Sequence, residues 1–520
     1  MRPDLRDRLE RVLQDLPQWE EPDHRRSLLR GILSYRPVWD LLDLKGSAAA
    51  AANALIDPEA MSALVAGLRA AQPRGHAELE FLATQLSGGA TRPRGQWKGA
   101  PYPGLVYFDR QHAPIYFGPE GVLRELIQTL GREQGQRFTV VLGASGSGKS
   151  SLVHAGLWAR LAAGEVAEMA GSEQWLIGAM TPTDAEEPMG SLRASALKAA
   201  QEHEGFRNRC DWKKELGRLK GEGIAALAEG LLRDAPAEAR WLVILDQMEE
   251  LFAGEVKQAG AEFLDRLIEA TQGPSRVRVV ATLRADFYHH CLEYPPLARL
   301  MARAGGAFPV GPADRRSLEE MVSGPLNGVE LNSESRNQAR ALPWLMDPEL
   351  PAAIAADAEQ RPGGLALMAF ALRELYDACQ STRRMDMASY RSVESGELGG
   401  AITRKAEATI ALLGKGGEKA LERVFARLVR VDGDDAAVRR RERCSIWEGD
   451  SEALEVIQRF QEARLLVADR GAGGDPTIEV AHEALLREWP RLARWIEERR
   501  EAFQLAERRG GTGGVPGPRI

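Results

Sequence analysis

The 520-residue chain has few cysteines and no long apolar run. Its four cysteines, Cys210, Cys291, Cys379 and Cys444, form no CxxC pair and offer no disulfide framework, which fits a reducing compartment. The opening MRPDLRDRLERVLQDLPQW lacks the apolar stretch of a secretion signal, and nowhere do about 18 apolar residues run together. Export by a classical signal and a membrane span are therefore not expected, and the expected location is the cytoplasm. Positive charge is not in surplus: 68 Lys and Arg stand against 75 Asp and Glu, a net charge of −7, which argues against a nucleic-acid coat or a polybasic membrane surface. No tandem repeat with a period of about 20–50 residues is visible. With hydrophobic residues at 44% and charged residues at 28%, a wholly disordered or collagen-like chain is excluded. At about 150 residues per domain the length allows three to four domains.

The pattern along the chain predicts a multidomain α/β and α protein. Residues 1–86 read as a helical bundle: Leu5, Leu9, Val12, Leu13 and Leu16 recur at helical spacing, and Asp23 can cap a helix carrying Leu28, Leu29, Ile32 and Leu33. Residues 87–103, SGGATRPRGQWKGAPYP, are rich in Gly, Pro and Arg and read as a linker. Over 104–315, apolar runs at Phe138–Leu142, Trp175–Met180, Trp241–Leu245, Val277–Thr282 and Ala307–Val310 alternate with helical stretches, the signature of a parallel sheet. A helical domain is expected over 316–400. A winged helix is expected over 401–500: a helix near Leu454–Phe460, strands at Leu465–Asp469 and Ile478–Ala481, and one closing helix through Leu485, Trp489, Leu492 and Ile496. Residues 501–520 read as a disordered tail.

Gly143-Ala144-Ser145-Gly146-Ser147-Gly148-Lys149-Ser150 fits GxxxxGK[ST] at every fixed position and lies between a strand and a helix. Gly143, Gly146 and Gly148 let backbone N–H groups, with those of Ser145, Ser147 and Ser151, curl around phosphate oxygens. Lys149 reaches the terminal phosphates, and Ser150 is a Mg²⁺ ligand. The strand Trp241–Leu245 ends in Asp246, the acid that a P-loop enzyme uses to hold Mg²⁺. Glu249 and Glu250 follow, and either can orient the attacking water, Glu249 being the better placed. Arg284 stands where the strand Val277–Thr282 leaves the sheet, where a cation can sense and stabilise phosphate charge.

Taken together, YFGPE at Tyr116–Glu120, GASGSGKSSLVHAGL, VILDQMEELF, VVATLRADFY, PGGLALMAFALREL and IEVAHEALLREWPRL resemble the STAND class of signal-transducing NTPases, in particular the bacterial branch termed novel STAND NTPase 1. The resemblance covers roughly residues 101–500. It implies a closed, ADP-bound monomer that exchanges ADP for ATP, opens and oligomerises, with slow Mg²⁺-dependent hydrolysis resetting it. Lys149 and Ser150 are then phosphate and metal contacts, Asp246 the Mg²⁺ acid and Arg284 a sensor. His482 in AHEALL is similar to the Met-His-Asp histidine that meets the β-phosphate of ADP in related switches. Two departures stand out: Gly118-Pro119-Glu120 lacks the usual arginine before the loop, and Gly364-Leu365-Ala366-Leu367 lacks the usual proline.

The N-terminal bundle resembles bacterial effector-associated, death-like adaptors, which implies recruitment of a separate protease or nuclease through residues 1–86. Family members usually continue into sensor repeats after the winged helix. The sensor is then another polypeptide, has been lost, or is an existing surface. Leu86–Ala90 precedes the phosphate loop, the wrong side for an ABC signature. Asp432–Asp435 lacks the terminal Glu of a calcium loop, and His289-His290 with Cys291 has no second ligand pair. An alternative function is a DNA-binding regulator that uses the winged helix with Arg439, Arg440, Arg441 and Arg443 on phosphate, although net charge favours a solvated face or an acidic partner.

Overall fold

The long apolar runs are uninterrupted because they are covered on both faces, as central parallel strands must be. The computed structural model describes residues 96–500, except 132–136, 186, 208–211, 213–216, 218–222, 253–256, 274, 328–329, 333–343, 362, 395–399, 415, 432–436 and 471–475. The bundle expected over 1–86, residues 87–95, the 501–520 tail, the Asp432–Asp435 turn and Leu86–Ala90 lie outside the described residues. The chain divides into two units, Met1–Arg94 and Gly95–Ile520, and every described residue belongs to the second.

Strand β1 (Gln96–Lys98) comes first. Next come β2 (Phe138–Gly143), β3 (Leu176–Met180), β4 (Trp241–Leu245), β5 (Val277–Arg284) and β6 (Ala307–Pro309), which form one sheet in the order β3-β4-β5-β2-β6. Every pairing in it is parallel. Alternate residues feed two cores: Phe138, Val140, Trp241, Val243 and Leu245 pack on one face, and Val141, Leu242 and Ile244 on the other. Helix α1 (Glu120–Gly131) precedes β2. Helix α2 follows the phosphate loop and runs through Lys149–Ser151, the π-helical stretch Leu152–Trp158 and Ala159–Ala162. Helix α3 (Pro188–Glu202) follows β3, and α4 (Lys257–Ala270) lies between β4 and β5. Because the strands are parallel, Gly143, Met180, Asp246 and Arg284 all arrive at one end of the sheet, beside the point where the strand order reverses at β2. That edge is where open α/β sheets bind ligands.

Helix α5 (Arg315–Asn327) leads to β7 (Glu330–Asn332), followed by β8 (Leu345–Met346), α6 (Leu350–Glu359), α7 (Gly364–Ala378) and β9 (Arg384–Met385). Helices α8 (Gly400–Ala411) and α9 (Gly417–Leu428) come next, then the short antiparallel pair β10 (Val429–Val431) and β11 (Ala437–Arg439). Strand β12 (Glu442–Arg443), helix α10 (Ser451–Glu462), β13 (Leu466–Arg470) and β14 (Pro476–Val480) come after them, and the strands make a three-stranded antiparallel sheet in the order β12-β14-β13. A third core joins the helices α6, α7, α9 and α10 to this C-terminal module through Phe370, Phe425, Phe460 and Trp489.

The structure departs from the sequence reading in three places. Residues 96–103, read as linker from their Gly and Pro content, are packed: β1 pairs in parallel with β7, and buried Tyr102 donates its hydroxyl to Val322 O at 2.5 Å. The closing helix is two helices, α11 (Ala484–Glu488) and α12 (Pro490–Glu498), because Pro490 has no N–H to give and holds Trp489 extended at φ −97° and ψ 101°. The pairs β8–β9 and β10–β11 and strand β12 were not foreseen, since two or three residues are too few to show an alternating pattern.

Trp489 is fully buried, packs against Phe425 and Phe460 at ring-centre distances of 5.9 and 5.8 Å, and donates its indole N–H to Glu407 Oε1 at 2.9 Å. Trp489→Ala should destabilise the C-terminal module by about 3–5 kcal/mol, read as an earlier calorimetric transition. An unshifted transition would contradict this packing.

Candidate functional site

The loop between β2 and α2 needs backbone angles that only glycine takes without strain. Gly146 and Gly148 have φ of +75° and +84°. With them the chain turns from strand β2 into helix α2 within a few residues, and the N-terminus of such a helix is where an anion binds. Among the described residues the buried Ser147 Oγ finds no hydrogen-bond partner. Lys149 Nζ donates to the loop's own Gly143 O and Ala144 O at 2.9 and 2.8 Å, two neutral acceptors for a buried cation. Burial lowers the Lys149 pKa, against the opposing pull of Glu249 and Asp246. An orphan hydroxyl, a buried ammonium on carbonyl oxygens and an open helix end together fit phosphate groups.

Asp246 is buried at the end of β4. Its Oδ1 accepts the hydroxyls of Ser150 at 2.8 Å and Thr282 at 2.5 Å, and its Oδ2 lies 3.4 Å from His154 Nε2. Burial alone would raise its pKa, but His154, Thr282 and Ser150 hold it well below the usual carboxylate range. A permanently ionised carboxylate against a serine hydroxyl is the donor set a Mg²⁺ ion takes in P-loop sites. Gln247 follows at φ +56°, a left-handed conformation costing roughly 1–2 kcal/mol. Its N–H is held by Thr282 Oγ1 at 2.9 Å and Asp246 Oδ1 at 3.2 Å. This kink turns the chain into the 3-10 helix Met248–Phe252 and aims the two glutamates differently.

Glu249 Oε2 accepts the Arg284 backbone N–H at 3.3 Å. Burial pushes the Glu249 carboxyl up to about 7, against its own backbone N–H and the charges of Lys149 and Arg284. Glu250 instead turns to the loop after β3, where Oε2 accepts the Thr183 hydroxyl at 2.6 Å. Arg284 donates to both oxygens of Asp286, at 3.1 and 2.5 Å, and to Glu483 of the C-terminal module. Despite burial, Asp286 and Glu483 keep its pKa above the ordinary arginine value.

His482 meets the phosphate loop directly: a methyl group added to Gly146 would lie 2.9 Å from both Cε1 and Nε2 of its ring. Burial lowers its pKa to about 4, with Arg439 adding to the effect, so the ring is neutral at physiological pH. Nδ1 accepts the Ala484 N–H at 3.0 Å. A neutral imidazole that accepts at Nδ1 carries its proton on Nε2, so His482 presents a donor to the loop. Ala366, which stands where the family has proline, and Leu365 cover the loop from α7: their side chains lie 3.6 and 3.1 Å from positions a methyl group would take on Gly146 and Gly148.

The nucleotide-site residues read from the sequence, Gly143 apart, therefore line one cleft of about 1570 Å³. Gly143 is outside that lining, and a side chain there would collide with Ser147 Oγ and Val310 O at 2.6 and 2.8 Å. Ser145 adds a hydrogen bond that helps hold the Glu483 carboxyl below its ordinary range. Ser151 faces a different way, its Oγ accepting the Phe108 N–H at 3.0 Å. Sequence reasoning missed that strap, with the Tyr107 ring 5.1 Å from that of His154. It also missed His154 and Thr282, which match no fixed motif position, and Glu483, hidden beside the more conspicuous histidine. Arg439, Arg440 and Arg441 are not a free basic face: they pair with Glu479, Glu442 and Asp184 of the same chain.

The sheet order, phosphate loop, Asp246 and paired glutamates define a nucleotide-binding P-loop NTPase. Residues 101–509 match the family model of novel STAND NTPase 1, and the chain belongs to that family. No curated protein matches it. Among solved structures it is similar to the ORC2 protein of Aeropyrum pernix in ADPNP–ADP complexes, at 14% identity and a TM-score of 0.39, covering 76% of this chain and 100% of that one. A Walker-type ATPase of Pyrococcus abyssi shares 15% identity at a TM-score of 0.35, with 74% and 97% covered. A RuvB mutant of Thermotoga maritima shares 10% at 0.31, with 66% and 97% covered. Among the described residues no helix is long and apolar enough to cross a membrane.

Lys149→Ala should weaken binding of a fluorescent adenine nucleotide by about thirtyfold to a hundredfold, since one charge-assisted contact of a buried cation is worth about 2–3 kcal/mol. Unchanged affinity would remove the phosphate assignment.

Proposed function

We propose that this chain is an ATP-dependent switch of bacterial defence signalling, closed around ADP at rest and opened by exchange for ATP. The observation that carries this reading is that His482 and Glu483, on the C-terminal module, reach the phosphate loop and Arg284. The module, read as a winged helix, thus acts as lid to the cleft whose contents it would report.

The residues suit that task. The His482 Nε2–H and the loop N–H groups are donors for phosphate oxygens. Lys149, Ser150 and Asp246 would hold the terminal phosphates and Mg²⁺, which when bound neutralises phosphate charge and fixes its oxygens for in-line attack. Arg284 is shared between Asp286 and Glu483. An additional phosphate competes with Glu483 for that guanidinium and adds negative charge beside it, which weakens the bond holding the lid. Glu249, whose carboxyl titrates near neutrality, accepts the proton of the attacking water, and hydrolysis then restores the closed state. In the open state the chains self-associate, and residues 1–86 recruit a protease or nuclease bearing a like domain.

Two experiments test this reading. His482→Ala removes a donor that favours the closed form, so light scattering in ATP should show assembly at lower nucleotide concentration than for wild type. If both proteins stay monomeric, the switch is wrong. The hydrolysis rate should rise about tenfold per pH unit below about 7, where Glu249 is protonated and cannot accept a proton, and level off above it. Glu249→Gln should lower the rate and flatten the profile, whereas a full-rate Gln variant would strip Glu249 of its role.

A further inference from the structure

The loop that follows β3, Thr181–Ala185, is gripped from three directions. Thr183 donates to Glu250 Oε2 from its backbone N–H at 3.3 Å and its hydroxyl at 2.6 Å. From α3, buried Ser191 Oγ accepts the Ala185 N–H at 2.9 Å and donates to Pro182 O at 3.2 Å. From the C-terminal module, Arg441 donates to Thr181 Oγ1 and Asp184 Oδ1, both at 3.0 Å, while its other terminal nitrogen donates to Glu479 Oε1 at 3.3 Å. Asp184 closes the loop on itself by accepting the Thr181 N–H at 2.7 Å and hydroxyl at 2.6 Å.

These contacts tie one short loop to the module through Thr181 and Asp184 and to an acid of the cleft through Thr183, with the loop backbone linking the two sets. The Arg441 side chain is 11% exposed, and its planar fork spans the NTPase loop and a strand of its own module, an arrangement that breaks if the module moves. At the other end, Glu250 shares the 3-10 helix Met248–Phe252 with Glu249, so anchoring Glu250 fixes the turn that aims its neighbour.

We propose that Thr183 is a positioning residue for Glu249, acting through Glu250, and that Arg441 holds the Thr183 loop in place only while the C-terminal module is docked. Hydrolysis then runs at full rate in the docked arrangement and slows once the module swings away, so the open state outlasts the exchange that produced it. This inference rests on the ATPase reading above.

The test compares kcat, KM for ATP and the Kd for fluorescent ATP among wild type, Thr183→Val, Thr183→Ser, Arg441→Lys and the Thr183→Val/Arg441→Lys double variant. Arg441→Lys keeps the charge opposite Asp184 and Glu479 and removes the fork. Thr183→Val and Arg441→Lys should each lower kcat about tenfold, a misplacement-sized loss, with Kd within about twofold of wild type. Thr183→Ser should restore kcat, and the double variant should be no slower than the slower single, as coupled positions require. A wild-type kcat in Thr183→Val, multiplying losses in the double variant, or a fall in melting temperature that Thr183→Ser does not rescue would overturn the relay. If wild type neither binds nor hydrolyses ATP, the functional reading falls, and the relay with it.

Discussion

The N–H groups at the start of a helix need acceptors from outside it, and the loop from Gly143 to Ser150 brings the start of α2 to the cleft. The rest of the site follows from meeting that demand. Glycines at 146 and 148 make the turn possible, and His482 takes the space that the missing side chain of Gly146 leaves. Lys149 rests on the carbonyl oxygens of Gly143 and Ala144. The cover over this loop comes from the C-terminal module and the start of α7, whose His482, Ala366 and Leu365 lie against Gly146 and Gly148.

Charge is arranged around the same demand. Asp246, Glu249, Glu250, Lys149 and Arg284 from the sheet side meet Glu479, Glu483, Arg439 and Arg441 of the C-terminal module around one cleft, and the Arg284–Glu483 and Arg441–Asp184 pairs cross the boundary between them. Buried ion pairs of this kind contribute little net stability, because desolvation offsets much of their attraction. They do select one arrangement sharply, since separating the partners would leave several charges in a low-dielectric cleft.

Much of this was legible in the residues. The strands β2 to β5 were readable because central parallel strands are continuously apolar, and the phosphate loop because its glycines and lysine have a fixed spacing. Asp246 followed from its place at a strand end. What escaped was short or non-local. Strands of two or three residues carry no periodicity, and Gly and Pro at 96–103 resemble a linker although Tyr102 is buried against α5. Thr282 and His154 flank Asp246 only after folding, as does Thr183 beside Glu250. The closing helix looked continuous because Leu485, Trp489, Leu492 and Ile496 keep helical spacing on both sides of the break at Pro490.

The parallel pairing of β1 with β7 has a mechanical consequence. The covalent path from the preceding unit enters at residue 95, passes through the β1–β7 ladder, then through the Tyr102 hydroxyl on Val322, and only afterwards reaches Phe108 against the start of α2. A tug on β1 is resisted by two anchorages before it reaches the phosphate loop. The second unit thus ties down its own first strand at two points ahead of the phosphate loop, so that a disturbance of β1 is held short of the cleft.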